Sequence, residues 1–387
     1  MRGARAQERN STGCDPGVRG VPLVDGCDAG HGEEPEEGRP EEGERARPGY
    51  SEETRRRGAQ GQPPQDKVPA DQEEAGVNTL TTFDVNGVPV EDTFCEAFAG
   101  IYARFVVTAS DERALKRAAR HVSALPATVF GESEAGIERW LDPDETPDGR
   151  PGFLVQVWVE KRKGFEENLE RELGKRIRQG VLVHPTTRVF DACEDPVGEL
   201  DMERPVGRCA DGYEYTDVEF GREMIHVPIM MGEFLIERRL GYGEGVAGGL
   251  VWLYCDSLES ALDAAYGVVD VLKDVEGIVT PFDVCAAGSK PDTIYPDIGP
   301  TTNHPYCPTL RDRTLDHRLP EDVEAVPEIV INGVDLETVR RAIGIAVLTA
   351  TEYDGVLRVT AGNFEGKLGD YRIPLRDCVR EVKDEWR

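Results

Sequence analysis

The stretch EIVING, residues 328–333, sets one carboxylate at the head of an apolar strand. A carboxyl group in that position is partly withdrawn from water, which raises its pKa towards the range where it can serve as an acid. Taken alone, capping or salt-bridging of a strand end is the simpler account of Glu328. Other chemistry-bearing residues offer less. The six histidines show no HExxH or HxxxH spacing and no carboxylate cluster has calcium or zinc-hydrolase spacing, so no metal site is expected. GEGVAG (243–248) fits the G-x-G-x-x-G pattern, but a strand-like run, GLVWLYC, follows it where a dinucleotide site needs a helix. It reads instead as a glycine-rich turn that something approaches closely. Cys307 has no nucleophile motif around it and reads as a half-buried structural cysteine. Two polar loops punctuated by proline and glycine, AAGSKPD (286–292) and TTNHPYCPTLRD (301–312), are placed where ligands bind on a rigid scaffold, or are plain surface connections.

The elements that must hold these residues alternate between strand and helix. ARFVVTA (103–109) reads as a strand, with Ser110 placed to cap a helix whose apolar face is Leu115, Ala118, Ala119 and Val122. GFLVQVWVE (152–160) is a second strand; Phe165, Leu169, Leu173 and Ile177 then form one helical stripe, with Gly180 as its stop. The second half repeats the grammar. LVWLYC (250–255) precedes a helix capped by Ser257, with Leu258, Ala261, Leu262, Ala265, Val269 and Leu272 facing a core. GIVTPF (277–282), EIVING, a helix from Asp335 and VLRVTA (356–361) follow. The expected fold is an α/β, or α+β, sandwich of two split βαβ lobes, residues 79–229 and 230–387.

Residues 1–78 are different. They are rich in Gly, Pro, Glu and Arg, bury too little apolar surface to offset chain entropy, and are expected to be disordered: a real extension or a misplaced start. This tail holds 17 acidic and 11 basic residues, so most of the net charge of −29 belongs to the remainder. Phosphate backbones repel such a chain, which argues against nucleic-acid partners. Only nine of the 45 basic residues are lysines, and an acid-rich, lysine-poor surface is that of proteins hydrated in concentrated salt. Nine scattered cysteines without a CxxC pair point to a reducing cytoplasm. No apolar run approaches the roughly 18 residues of a membrane span, and the N-terminus lacks a secretory signal's apolar region.

Seven segments in one order, VNGVPVEDTFCEAF (85–98), EAGIE (134–138), PDETPDGRPG (143–152), GVAGG (245–249), YCPT (306–309), EIVING (328–333) and TAGNFEGKLGDY (360–371), resemble the formylmethanofuran:tetrahydromethanopterin formyltransferases. The resemblance spans roughly residues 83 to 377. It implies two ferredoxin-like lobes, homo-oligomers (dimers or tetramers) that need salt, and no bound prosthetic group. It also implies reversible transfer of a formyl group between methanofuran and N5 of tetrahydromethanopterin, the two carrier substrates. A related protein works within a formyltransferase/hydrolase complex.

That chemistry gives Glu328 a role. Transfer between two nitrogens passes through a tetrahedral intermediate whose oxygen gains negative charge, and a protonated carboxyl can donate a hydrogen bond to it. The resemblance places the catalytic glutamate at Glu328. Ser289, Lys290, Asn303 and Tyr306 are the expected substrate contacts, Lys290 as an anchor for the carboxylates of methanofuran. The sequence departs from the family in a shortened PFDVCAAGSK segment and in His304 and Pro305. These changes leave two rivals open: a folate-type pterin or other formyl carrier, and a non-catalytic subunit of a formyl-processing complex.

Overall fold

A computed structural model describes residues 81–124 and 132–384. The 1–78 segment, with the disorder expected of it, lies outside them. The first half contains β1 (Thr82–Val85), β2 (Val88–Glu91), β3 (Phe94–Thr108), α1 (Glu112–Val122), β4 (Glu134–Leu141), β5 (Gly152–Glu160) and α2 (Phe165–Ile177). It continues through β6 (Arg188–Asp191), β7 (Gly198–Asp201), β8 (Tyr215–Glu219) and β9 (Arg222–Ile229). Then come β10 (Gly232–Glu237), β11 (Arg239–Cys255), α3 (Leu258–Leu272), β12 (Ile278–Val279), β13 (Glu328–Gly333), α4 (Leu336–Ala350), β14 (Val356–Ala361), β15 (Tyr371–Pro374) and α5 (Leu375–Val382). The result is the sheet-dominated α/β architecture expected.

Two long strands organise it. β3 and β11 pair antiparallel, Phe98–Ala103 against Ala247–Tyr242, and the strands on either side build outward from them. The far half of β11 lies between β13 and β14. Side chains alternate across a strand, so Ile329 and Ile331 of β13 enter an apolar core with Val251, Val268 and Ile343, beneath α3 and α4. A second core, under α1 and α2, gathers Phe105, Phe153, Val155, Leu115 and Leu169.

Several local expectations are corrected. The cap of α1 is Asp111, not Ser110: its carboxylate accepts the Ala114 N–H at 2.8 Å, a stronger contact than a hydroxyl makes. Gly180 does not stop α2. The chain runs on through a π turn, Arg178–Leu182, and a Cβ at Gly180 would lie 2.8 Å from the Val122 backbone nitrogen. Leu258 and Leu262 do not face the core; they are 68% and 42% exposed, and Ala264 and Val268 take the inward positions. The GIVTPF strand shrinks to Ile278–Val279, because Pro281 supplies no N–H to extend the ladder. GEGVAG is not a turn but part of β11, with a bulge between Val246 and Gly249 and Gly248 at φ +82°. The close approach expected there is real. A Cβ on Gly245 would meet the Gly333 carbonyl at 2.6 Å and the Trp158 ring at 2.7 Å.

Candidate active site

β13 presents Glu328, Val330 and Asn332 on the face opposite its isoleucines. In the antiparallel register Glu328 stands directly opposite Trp252 of β11, so the two side chains rise from the same face. The Trp252 indole Nε1–H donates to Glu328 Oε2 at 2.7 Å. On the other side of β13 the backbone of Cys285 pairs with that of Glu328 in both directions, at 2.8 and 2.9 Å, and the Cys285 thiol hydrogen-bonds to the Glu328 carboxyl. Glu328 is 6% exposed. Burial pushes its carboxyl above the usual range, and the Trp252 and Cys285 hydrogen bonds pull part of the way back.

The segment carrying Cys285 is anchored at its start. Gly277 N–H donates to Glu138 Oε1 at 2.8 Å, the same oxygen that accepts from Arg104 Nη2 at 2.8 Å, and Arg104 and Glu138 are both buried. A charge pair of this kind holds its geometry because separating it would leave an uncompensated buried charge.

Glu328 lines a cleft of about 290 Å³. Its floor is Trp252 with Glu328, one wall is Leu258 and Leu262 of α3, and the other is the 303–309 segment. The Tyr306 ring packs edge-on against Trp252, centroids 4.7 Å apart, and the Arg318 guanidinium lies 5.9 Å from the Tyr306 centroid. Asn303 and Tyr306 thus join Glu328 in one cleft. Ser289 and Lys290 do not contribute to its lining. Ser289 is exposed, while Lys290 pairs by backbone with Thr301, at 2.9 and 3.2 Å, and its ammonium donates to the Asp292 carbonyl. Cys307 is half-buried, as expected, and lines the cleft. Trp252, Cys285, Leu258 and Leu262 were not singled out as site residues from sequence; backbone pairing brings Trp252 and Cys285 to the carboxyl, and the packing of α3 brings the two leucines to the cleft. Among the described residues no group of three or more His, Cys, Asp and Glu side chains is placed to hold a metal.

The family model described as formylmethanofuran–tetrahydromethanopterin formyltransferase matches residues 83–229, and the model described as FTR, proximal lobe, matches residues 232–378. The chain belongs to this formyltransferase family. A formylmethanofuran–tetrahydromethanopterin formyltransferase-like protein of Methanopyrus kandleri is 76% identical over 298 residues, spanning 77% of this chain and 99% of the relative. The solved formyltransferase of Methanosarcina barkeri superposes with a TM-score of 0.71 at 39% identity, over 76% of this chain and all (100%) of that one. The formyltransferase/hydrolase complex of Methylorubrum extorquens, solved with methylofuran, contains a chain that superposes with a TM-score of 0.71 at 32% identity, covering 77% of this chain and 99% of that one. In this formyltransferase, then, the cleft around Glu328 is lined by residues that all lie within the proximal-lobe match.

Proposed function

We propose that the protein transfers a formyl group between formylmethanofuran and N5 of tetrahydromethanopterin, with Glu328 as the acid that stabilises the tetrahedral intermediate. The observation that carries this reading is a buried, hydrogen-bonded carboxyl at the floor of a cleft in a formyltransferase of this family. The acceptor nitrogen attacks the formyl carbon, the carbonyl oxygen gains charge, and protonated Glu328 donates a hydrogen bond to it. Collapse breaks the bond to the donor nitrogen, and the proton lost by the acceptor nitrogen ends on the departing amine. Leu258, Leu262 and the Tyr306 ring reduce competition from water. Asn303 and Tyr306 are the substrate contacts this cleft supports best; Ser289 and Lys290 fit contacts to the outer part of an acidic carrier.

We read the enzyme as two lobes meeting near residue 230, working as a cytoplasmic homo-oligomer in a salt-adapted cell. Met230, Met231 and Tyr213, all strongly exposed, support association between copies. A second reading is favoured by the likeness to a chain of the formyltransferase/hydrolase complex and by the altered 281–309 segment: a different formyl carrier, folate-type pterins included, or service as a complex subunit.

The test is formyl transfer in molar potassium chloride, with tetrahydromethanopterin and, separately, tetrahydrofolate as acceptor. Glu328→Ala is expected to lose about 10²- to 10³-fold in kcat, the scale of one lost oxyanion donor, and Glu328→Gln less, because its amide N–H can still donate. Near wild-type transfer by Glu328→Ala would remove Glu328 from the mechanism. Transfer to the folate alone would move the reading to another carrier, and none to either, from a folded oligomer, to a subunit awaiting its complex.

A further inference from the structure

We propose that Trp252 is a positioning residue that decides which oxygen of Glu328 carries the acid proton. The inference rests on the reading of Glu328 as an acid and goes beyond it by assigning the proton to one atom. An indole N–H has no acceptor lone pair in the ring plane and can only donate. At 2.7 Å from Oε2 it addresses that oxygen alone, and the carbonyl oxygen of a carboxylic acid is a better acceptor than its hydroxyl oxygen. Oε2 is therefore the carbonyl oxygen and Oε1 the hydroxyl, so the donor needed for the intermediate is formed in one orientation.

The surroundings keep this choice. Trp252 is 7% exposed and wedged by Tyr306, so the indole cannot swing away without breaking the packing that also floors the cleft. Thr360 of β14 stands opposite Trp252 on its other edge and fixes the same register. Among the described residues, the remaining titratable groups near the carboxyl are Cys285, on the segment beside β13, and Tyr306 and Cys307, across the cleft; α3 contributes only Leu258, Ala261 and Leu262 to the lining. Of the carboxyl's two side-chain partners the Cys285 thiol either donates or accepts, so it cannot make the selection. Trp252 can.

The experiment uses the full-length oligomer. The protonated carboxyl of Glu328 is read as the C=O stretching band that disappears in Glu328→Gln. In Trp252→Phe the band is expected at higher wavenumber, because the carbonyl has lost its donor, and to persist to higher pH, because one of the two groups favouring the anion is gone. Transfer should lose about tenfold to a hundredfold in kcat, with KM changed less than about threefold, as a misplaced acid predicts. A merely structural tryptophan would lower thermal stability and leave the band where it was; an unmoved band in folded Trp252→Phe overturns the proposal. Should that variant not fold, indole nitrogen resonances of the wild-type protein decide. One of the four tryptophan signals should titrate together with the band and stop doing so in Glu328→Gln, and its absence overturns the proposal. Both spectroscopic readouts stand apart from activity. If Glu328→Ala still transfers formyl groups at close to the wild-type rate, the catalytic reading fails while the proton assignment is still answered.

Discussion

Asn332 Nδ2 donates to Glu134 Oε1 at 2.9 Å, joining β13 to β4 through two buried side chains. The same amide accepts the Gly248 N–H through Oδ1 at 2.8 Å, so one side chain also spans the bulge of β11. Glu328 and Asn332 share a face of one short strand. The amide therefore fixes the strand that carries Glu328 relative to the strand that carries Trp252. Fold and chemistry meet in these six residues.

Asn332→Leu should cost about 2 to 4 kcal/mol, since it strips a partner from a buried carboxylate and from a backbone N–H together. The Arg176 guanidinium, which acts electrostatically on Glu134, offsets part of the loss. Urea denaturation checks the figure, and a cost under about 1 kcal/mol would mean that β13 is held by its apolar face alone.

A second carboxylate has the opposite environment from Glu328. Glu96 is fully buried, and burial alone would raise its pKa, but backbone N–H groups of Gly369, Phe364, Leu368 and Gly366 converge on it and together hold it below the usual range. The contacts from Phe364 and Gly366 are 2.7 and 2.8 Å. With the folded-state pKa depressed, the stabilisation is complete above the unfolded value of about 4.3 and fades as pH falls through the folded one. Glu96→Gln should therefore lose at least about 2 kcal/mol at pH 7, with the gap to wild type closing in acid. Thermal melts at pH 7 and pH 3 give the comparison, and a gap independent of pH would contradict it.

For Glu328 the sign reverses. Its folded pKa lies above the unfolded one, so the native state holds the proton more tightly, and stability falls as pH rises from about 4.3 through the folded value. Glu328→Gln removes this penalty. The variant should gain in melting temperature over wild type as pH rises through that window, reaching a plateau above it, even as it loses activity. An unchanging difference across pH 4 to 9 would show that the carboxyl is not burdened by burial.

The periodic spacing of apolar residues made α1 to α4 and the strands β3, β5, β11, β13 and β14 legible, and the cap at Ser257 was readable because its side chain accepts a nearby N–H. Glu328 stood out because a carboxylate is costly at the head of an apolar strand. What the sequence could not show is pairing. Trp252 lies 76 residues from Glu328, and only the antiparallel register places indole against carboxyl. Leu258 and Leu262 misled for a related reason: an apolar stripe looks the same whether it faces a core or lines a cleft. Ala261 and Ala265 were read as inward, but Ala264 and Val268, which complete that face, fall outside the stripe the leucines suggested.

The charge balance makes one further prediction. With a formal charge of −29, the chain repels itself, and potassium chloride should raise its melting temperature. Two mechanisms could produce such a rise, and they differ in shape. Screening is nearly complete once the Debye length falls from about 10 Å at 0.1 M to about 3 Å at 1 M. Salt exclusion from apolar surface continues to strengthen burial as concentration grows. If self-repulsion is the main term, most of the gain should be complete by about 1 M, and sodium sulfate at equal ionic strength should match potassium chloride at low concentration. Removing residues 1–78 should change little, because most of the negative charge lies beyond them. A melting temperature that is flat, or that climbs linearly to 3 M in chloride, would rule out charge repulsion as the reason for any salt requirement.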